Sequence, residues 1–121
     1  MVMSLQKGLR TTFLIHPENK PPEEMKDVLA CMFWRKPALA DPALALLELI
    51  DKRKELADSY WSEFCEIADI TRGQYDSIIR KLKAGGFIYK RNNFWRISVG
   101  FDEFLVDIIK ITKDWRDKNE E

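Results

Sequence analysis

Basic side chains are concentrated in one stretch of an otherwise neutral chain. Residues 72–96 contain seven Lys and Arg residues and a single acid, Asp76, so the stretch has a net charge of +6 (seven minus one). The whole chain has 20 basic and 20 acidic residues, and the remainder therefore carries −6 (13 minus 19). A local excess of Lys and Arg attracts polyanions, so the pattern predicts a surface that binds phosphate groups.

Side chains suited to catalysis or metal binding are scarce. The chain has one His and two Cys residues, Cys31 and Cys65, which stand outside any metal-ligand spacing. Gly85-Gly86 predicts the end of a helix rather than a phosphate-binding loop. The sequence therefore predicts no enzyme, no cofactor, no metal site and no small-molecule ligand.

Length and composition indicate one globular domain in the cytoplasm. The chain has 121 residues, of which 45% are hydrophobic and 33% charged, as in ordinary soluble domains. No apolar run approaches the roughly 18 residues that span a bilayer, and residues 1–10 lack the pattern of a secretion signal. Cys31 and Cys65 are predicted to be buried thiols in a reducing compartment, with no membrane partner.

The elements that must position the basic stretch follow from local signals. Residues 9–15 predict a short strand, because Thr and branched apolar residues dominate them. A first helix follows, with apolar positions at helical spacing from Met25 to Phe33. Asp41-Pro42 predicts an N-cap and first turn for a second helix that runs to about residue 55.

Three further helices and a hairpin complete the predicted order. A third helix opens at Asp58 or Ser59, with its buried side formed by Trp61, Phe64, Cys65, Ile67 and Ala68. The sequence from Thr71 to Gln74 is a capping box that starts a fourth helix, and Gly85-Gly86 ends it. Asn92-Asn93 suits the tight turn of a hairpin over residues 87–98, with Trp95 and Ile97 on the core side. Asp102 is predicted to cap a last helix.

Residues 70–98 resemble the core of winged helix-turn-helix proteins, a broad group that includes many bacterial and archaeal transcription regulators. The matching positions are Thr71, Tyr75, Ile79, Leu82, Gly86, Phe87, Ile88 and the hairpin that ends in Phe94-Trp95-Arg96-Ile97-Ser98. The expected fold class is mostly α with a small β-hairpin (α+β). The expected organisation is an N-terminal strand and helix extension (1–40), a winged helix-turn-helix core (41–100) and a C-terminal helix (101–121).

The resemblance implies that the fourth helix enters the major groove of double-stranded DNA. Its outer face has polar groups that pair with base edges, because Gln suits adenine and Arg or Lys suits guanine. Asp76 departs from this pattern, since phosphate repels a carboxylate. The expected contact residues of this recognition helix are Arg72, Gln74, Ser77, Arg80 and Lys81.

The hairpin is the expected wing. Its turn is short, so clamping of the phosphate backbone is favoured over deep entry into the minor groove. The expected wing and phosphate contacts are Lys83, Lys90, Arg91, Asn92, Asn93 and Arg96. An alternative is stacking of single-stranded bases on Phe87, Phe94 and Trp95.

Two partner hypotheses remain open at this point. The resemblance implies a homodimeric, sequence-specific regulator whose terminal helices form the interface, and the last helix has an apolar stripe of Phe104, Ile108, Ile111 and Trp115. The alternative is a protein-binding module within a transcription, replication or remodelling assembly, which the acidic remainder of the chain also fits. A viral or plasmid-encoded replication or copy-control protein is a third reading, and it would again bind DNA.

Overall fold

The computed structural model describes residues 10–15 and 21–119. Its regular elements are α1 (Met25–Met32), α2 (Ala40–Arg53), β1 (Leu56–Ala57), α3 (Trp61–Ala68), α4 (Arg72–Ala84), β2 (Ile88–Arg91), β3 (Phe94–Ile97) and α5 (Gly100–Asn119). Single 3-10 turns at Pro37–Leu39 and Asp58–Tyr60 precede α2 and α3. The predicted class is confirmed at this level, because the chain is mostly helical with one small antiparallel sheet.

The sheet has three strands rather than the two of the predicted hairpin. β3 lies in the centre, with β2 on one side and β1 on the other, and both pairings are antiparallel. β1 places Leu56 opposite Trp95 and Ala57 opposite Phe94. A strand of two residues has no periodicity that sequence inspection can detect, so the prediction missed it.

The hairpin turn and the start of α4 agree with the sequence. Asn92 and Asn93 both have positive φ, at 53° and 66°, which is the backbone of a tight two-residue hairpin turn. Thr71 and Gln74 form the predicted capping box. Both features are local, which is why the sequence signals them reliably.

Two predicted N-caps are wrong. α2 begins at Ala40, because Leu39 at the end of the 3-10 turn already has helical angles (φ −81°, ψ −11°), and Asp41 therefore lies inside the first turn. α5 begins at Gly100, whose N–H donates to Ser98 Oγ at 3.0 Å. Asp102 again lies within the first turn rather than before it.

One hydrophobic core joins the N-terminal helix to the rest of the domain. Leu29, Met32 and Phe33 at the end of α1 are at most 1% exposed, and they belong to the same buried cluster as residues of the sheet. The other members are Leu39, Ala40, Ala43, Leu46, Leu47, Ile50, Leu56, Phe64, Tyr75, Ile78, Leu82, Phe87, Ile88 and Trp95. The C-terminal half of α1 therefore contributes to the same core as the sheet.

Two residues predicted to be buried are exposed. Ile67 is 73% exposed, since it lies about 110° around α3 from the centre of the buried face at 100° per residue. Ile97 is 39% exposed. It is the last residue of β3 and lines a groove between α1, α2 and the start of α5, so its side chain is only partly covered.

The predicted N-terminal strand is absent from residues 10–15, and Leu9 lies outside the described residues. Leu14 donates its N–H to the carbonyl of Cys31 at 2.9 Å, so this segment lies along α1 instead of adding to a sheet edge. Phe13 packs against Phe101 at the base of α5, with ring centroids 5.3 Å apart. Among residues 10–15 and 21–119, no helix has both the length and the apolar character that crossing a bilayer requires.

Candidate nucleic-acid interface

A three-residue turn connects α3 to α4. Asp69 adopts left-handed angles (φ 56°, ψ 51°) at the end of α3, and its N–H and that of Ile70 both donate to the carbonyl of Cys65. Thr71 then has extended angles before α4 begins. The two helices are thus joined by one tight turn whose three backbone N–H groups are all hydrogen-bonded, which fixes the direction in which α4 begins.

Gln74 has a structural role at this N-terminus. Its Oε1 accepts from the Thr71 N–H at 2.9 Å, while its own N–H donates to Thr71 Oγ1 at 3.1 Å. A bidentate contact with adenine requires both the oxygen and the nitrogen of the carboxamide. The oxygen is engaged here, so Gln74 retains only its amide donors for a further partner.

Arg72 is held from two sides. Its guanidinium carbon lies 3.8 Å from the ring centroid of Trp61 on α3, and its Nε donates to Asp76 Oδ1 at 3.3 Å. This stacking on an aromatic face is a cation–π contact. Asp76, the one acid of the basic stretch, therefore neutralises Arg72 within the same helix.

The remaining polar groups of α4 differ in exposure. Gly73, Arg80 and Lys83 are exposed, whereas Ser77 and Lys81 are half-buried. Lys81 Nζ lies 6.0 Å from the ring centroid of Phe33, so its stem lies near the end of α1. Within the described part of the chain, no acid forms an ion pair with Arg80, Lys81 or Lys83.

Asp58 binds the hairpin at three points. Lys90 Nζ lies 3.0 Å from its Oδ2, Trp95 Nε1 donates to its Oδ1 at 3.1 Å, and its own N–H donates to the carbonyl of Asn93 at 2.9 Å. The hydrogen bond from Lys90, helped by that from Trp95 and opposed by partial burial, lowers the pKa of Asp58 below its usual value. The carboxylate therefore remains ionised and holds the hairpin against the start of α3.

Arg96 forms the second ion pair of the hairpin. Its Nη2 lies 2.6 Å from Glu55 Oε1, and both side chains are less than half exposed. The Arg96 Nε is buried and has no hydrogen-bond partner among the described residues. This arginine therefore ties β3 to the residue that precedes β1, and its charge is largely neutralised.

The hairpin tip is open. Arg91, Asn92 and Asn93 are all exposed, and Arg91 forms no ion pair with any described residue. The structure thus divides the eleven predicted contact residues into two groups. One group has partners within the chain: Arg72, Lys90 and Arg96 form ion pairs, and Gln74 caps α4. Those without such a partner in the described part of the chain are Ser77, Arg80, Lys81, Lys83, Arg91, Asn92 and Asn93.

The aromatic side chains of the hairpin do not form an open stacking platform. Trp95 is 4% exposed and Phe87 is 8% exposed, and only Phe94 reaches 36%. Base stacking requires exposed rings. Of the three rings expected to stack on single-stranded bases, Phe87 and Trp95 are therefore inaccessible to a base, and Phe94 alone is exposed.

Sequence reasoning missed three residues that shape the site: Glu55, Asp58 and Trp61. Each contacts a residue at least eleven positions away, so no local spacing reveals the pairing. Asp58 attracted attention only as a possible helix start. One sequence signal was available. Glu55 and Asp58 are acids that lie just before the predicted third helix, and the basic stretch offers them partners.

Comparison with known proteins adds no relative: no family model, no curated protein and no solved structure matches this chain.

Proposed function

We propose that this chain is a winged helix-turn-helix protein that binds double-stranded DNA, with α4 as the recognition helix and the β2–β3 hairpin as the wing. The observation that carries the proposal is a set of bases on these two elements that have no acidic partner among residues 10–15 and 21–119. Arg80, Lys81 and Lys83 belong to α4, and Arg91 stands at the hairpin tip. Bases that folding leaves unpaired remain available for phosphate and base edges.

The ion pairs refine the roles of the candidate residues. Arg80 and Lys81 contact guanine or phosphate from α4, and Gly73 allows close approach of the helix backbone. Arg91, Asn92 and Asn93 contact the phosphate backbone. Lys90 and Arg96 act as anchors that fix the angle of the wing, since Asp58 and Glu55 already bind them. A cytoplasmic, sequence-specific transcription regulator is the role that this assignment supports best.

Fluorescence anisotropy of a labelled mixed-sequence duplex across a salt series tests the proposal. We expect binding that weakens steeply with salt, because each neutralised phosphate contributes about 0.9 to the slope of log K against log[salt]. The variant Arg80→Ala/Lys81→Ala should bind more weakly and with a flatter slope.

The matched control is Lys110→Ala/Lys113→Ala, which removes the same charge from exposed positions of α5 and should leave the binding curve unchanged. Absence of binding by the unmodified protein at low salt would contradict the proposal. Equal losses in the two double variants would contradict the assignment to α4. If the unmodified protein does not bind DNA, the protein-binding module becomes the leading interpretation, and a pull-down from extract would then follow.

A further inference from the structure

A groove lies between four elements of the domain: α1, α2, the end of β3 and the start of α5. Its volume is about 490 Å³, which lies within the range of about 300–1,000 Å³ that small-molecule sites occupy. None of the eleven residues predicted to contact DNA, all of which the structure describes, lines this groove. The groove is therefore separate from the basic surface, and its own chemistry must indicate what it binds.

The floor and two of the walls of the groove are apolar. Leu47 of α2 and Phe87, which follows α4, form the floor, because they are the most buried of the lining residues at 7% and 8% exposed. Val28 of α1 and Ile97 of β3 line the walls. An apolar group that enters the groove therefore leaves water for contact with hydrocarbon, which is favourable.

The first turn of α5 forms a further wall. The Phe101 ring lines the groove and stacks on Phe87 with centroids 4.4 Å apart. The Phe101 N–H donates to the carbonyl of Gly86 at 3.0 Å. These two contacts hold the wall in place against the residues that follow α4, so the groove is preformed on this side.

The charged side chains of the groove are all acidic. Glu48 and Asp51 line it from α2, and Asp102 lines it from the first turn of α5. Glu48 and Asp51 are three positions apart on one helix, which places their side chains next to each other. All three acids are exposed, and none forms an ion pair with a base in the described part of the chain. The groove thus combines an apolar floor with an acidic rim that lacks counter-charges.

We infer that this groove binds a small organic cation, namely an amine or quaternary ammonium group on an apolar body. The body packs on Leu47 and Phe87, and the cationic group lies among the three carboxylates of the rim. Attraction between opposite charges is stronger beside apolar walls than in bulk water, because these walls screen charge less. The same carboxylates repel an anion.

A protein partner fits the groove less well than a small molecule does. The part of α2 that lines the groove extends from Leu44 to Asp51, which corresponds to about 10 Å at 1.5 Å per residue. This length matches one small ligand, whereas a stable protein interface covers about 800 Å² on each partner. The volume and the length of the groove therefore favour a single small molecule.

A second groove provides a comparison within the same molecule. It has a similar volume of about 510 Å³, and its walls also include apolar side chains such as Phe13, Met32 and Phe104. No acid is among the described residues that line it, and its charged lining residue is Arg10. This second groove offers apolar surface without an acidic rim, so an organic cation should prefer the first groove.

No local motif indicates the acidic groove, and the sequence predicts no small-molecule ligand. The lining residues are spread along the chain from Met25 to Asp102. Only the packing of α1, α2 and the start of α5 brings them together. Such a site is therefore accessible to inference from the tertiary structure and not from residue spacing.

Titration with matched ligands, followed by two-dimensional NMR of the isotope-labelled chain, tests the inference. Phenylbutylamine should shift the backbone signals of Val28, Glu48 and Ser98 until they saturate, while those of Thr11 and Gly85 in the second groove stay in place. Phenylbutyrate, which has a carboxylate instead of the ammonium group, should bind at least about tenfold more weakly. Phenylbutanol, which is neutral, should have an affinity between these two.

Charge removal from the rim provides the matching variants. Glu48→Gln/Asp51→Asn should weaken the binding of phenylbutylamine by about tenfold and leave that of phenylbutanol unchanged. The control Glu63→Gln/Glu66→Gln removes the same charge from exposed positions of α3 that do not line the groove, and it should leave both affinities unchanged. Circular dichroism of each variant confirms that the domain is folded.

Four results would overturn the inference. These are an absence of saturable shifts with phenylbutylamine, shifts centred on the second groove, equal affinities for the amine and the carboxylate, or equal losses in the two double variants. The first three need only the unmodified chain, so the test does not depend on the folding of a variant. The titrations contain no DNA, and their failure leaves the proposed function standing.

Discussion

The ammonium of Lys90 lies 3.0 Å from the carboxylate of Asp58, across 32 positions of sequence. The pair connects β2 to the turn that precedes α3, and the same carboxylate accepts from the indole of Trp95. Two neighbouring bases of the hairpin, Lys90 and Arg91, therefore differ in their contacts. Lys90 is bound within the fold, whereas Arg91 forms no ion pair among the residues that the structure describes.

The first prediction separates these two bases. Arg91→Ala should weaken binding to all duplex sequences about equally and reduce the salt slope by about one unit, with no change in the free energy of unfolding. Lys90→Ala should lower the free energy of unfolding by up to about 1 kcal/mol, the range of partly exposed ion pairs. Urea denaturation and duplex anisotropy measure the two quantities, and a double-mutant cycle with Asp58→Asn should show coupling for Lys90 only. A salt slope that responds to Lys90 as strongly as to Arg91 would refute the division.

The second prediction concerns acid. Because the pKa of Asp58 is lower in the folded chain than its usual value of 3.8, its stabilising contribution is present above about pH 4 and is lost as the pH falls through the folded pKa. Asp58→Asn should therefore be less stable than the unmodified chain at pH 6, and the gap should narrow toward pH 3. Urea midpoints at the two pH values measure it. A gap that is independent of pH would mean that the ion pair contributes nothing.

The third prediction concerns alkali. The hydroxyl of Tyr75 is buried and has no hydrogen-bond partner among the described residues, and this burial raises the pKa of Tyr75 to about 12. The unfolded chain ionises Tyr75 near pH 10, whereas the folded chain does so only near pH 12. The free energy of unfolding is therefore unaffected by this group below pH 10 and falls as the pH rises from 10 toward 12. Tyr75→Phe should match or exceed the unmodified chain at pH 7, since it removes an unsatisfied polar atom. It should also resist the decline above pH 10, which urea unfolding at pH 8 and pH 11 would measure. A marked loss at pH 7 would reveal a partner for the hydroxyl.

The fourth prediction concerns the joint between α4 and α5. Gly86 has a φ of +84°, and a Cβ at this position would lie 2.6 Å from the Phe101 nitrogen. Gly86→Ala should therefore cost more than about 1 kcal/mol, because it combines an unfavourable backbone conformation with a backbone collision. Gly73→Ala is the matched control. The nearest atom to its Cβ is 3.9 Å away, and alanine in a helix should gain about 0.5–1 kcal/mol. Thermal denaturation of both variants measures the contrast, and equal effects would contradict it.

The fifth prediction concerns the start of α4. Thr71→Ala removes the acceptor for the Gln74 N–H and should cost about 1 kcal/mol, as loss of a helix cap does. Thr71→Ser retains the hydroxyl and should cost much less. Chemical denaturation measures the free energy of unfolding of the two variants. An equal loss in both variants would mean that the turn tolerates no substitution at this position and that the hydroxyl cap is not the cause.

Local signals in the sequence predicted several parts of the fold that depend on neighbours in the chain, although the N-caps expected at Asp41 and Asp102 were wrong. The capping box of Thr71 and the left-handed pair Asn92-Asn93 involve contacts over a few residues, and both are present. β1 was missed, because its two residues acquire strand geometry only by pairing with β3. Ile67 was misassigned for a related reason: apolar character does not say which side of a short helix its neighbours will cover.

In the candidate site, too, sequence inspection does not reveal pairings between residues that are distant in the chain. Residue counting located the basic stretch, but it could not say which bases fold against acids. Arg96 and Glu55 are 41 positions apart, and their pairing depends on β1 lying beside β3. Sequence alone therefore predicts the kind of surface, and the tertiary structure selects the members that remain available.

The hydrogen bond from the Phe101 N–H to the Gly86 carbonyl has a mechanical consequence. It connects Gly86, which lies just beyond the end of α4, to the first turn of α5. A movement of α5 is therefore transmitted to the end of α4. Because a helix of 20 residues is about 30 Å long, a force on the far end of α5 acts on this joint with a long lever, and its effect reaches the C-terminal end of α4.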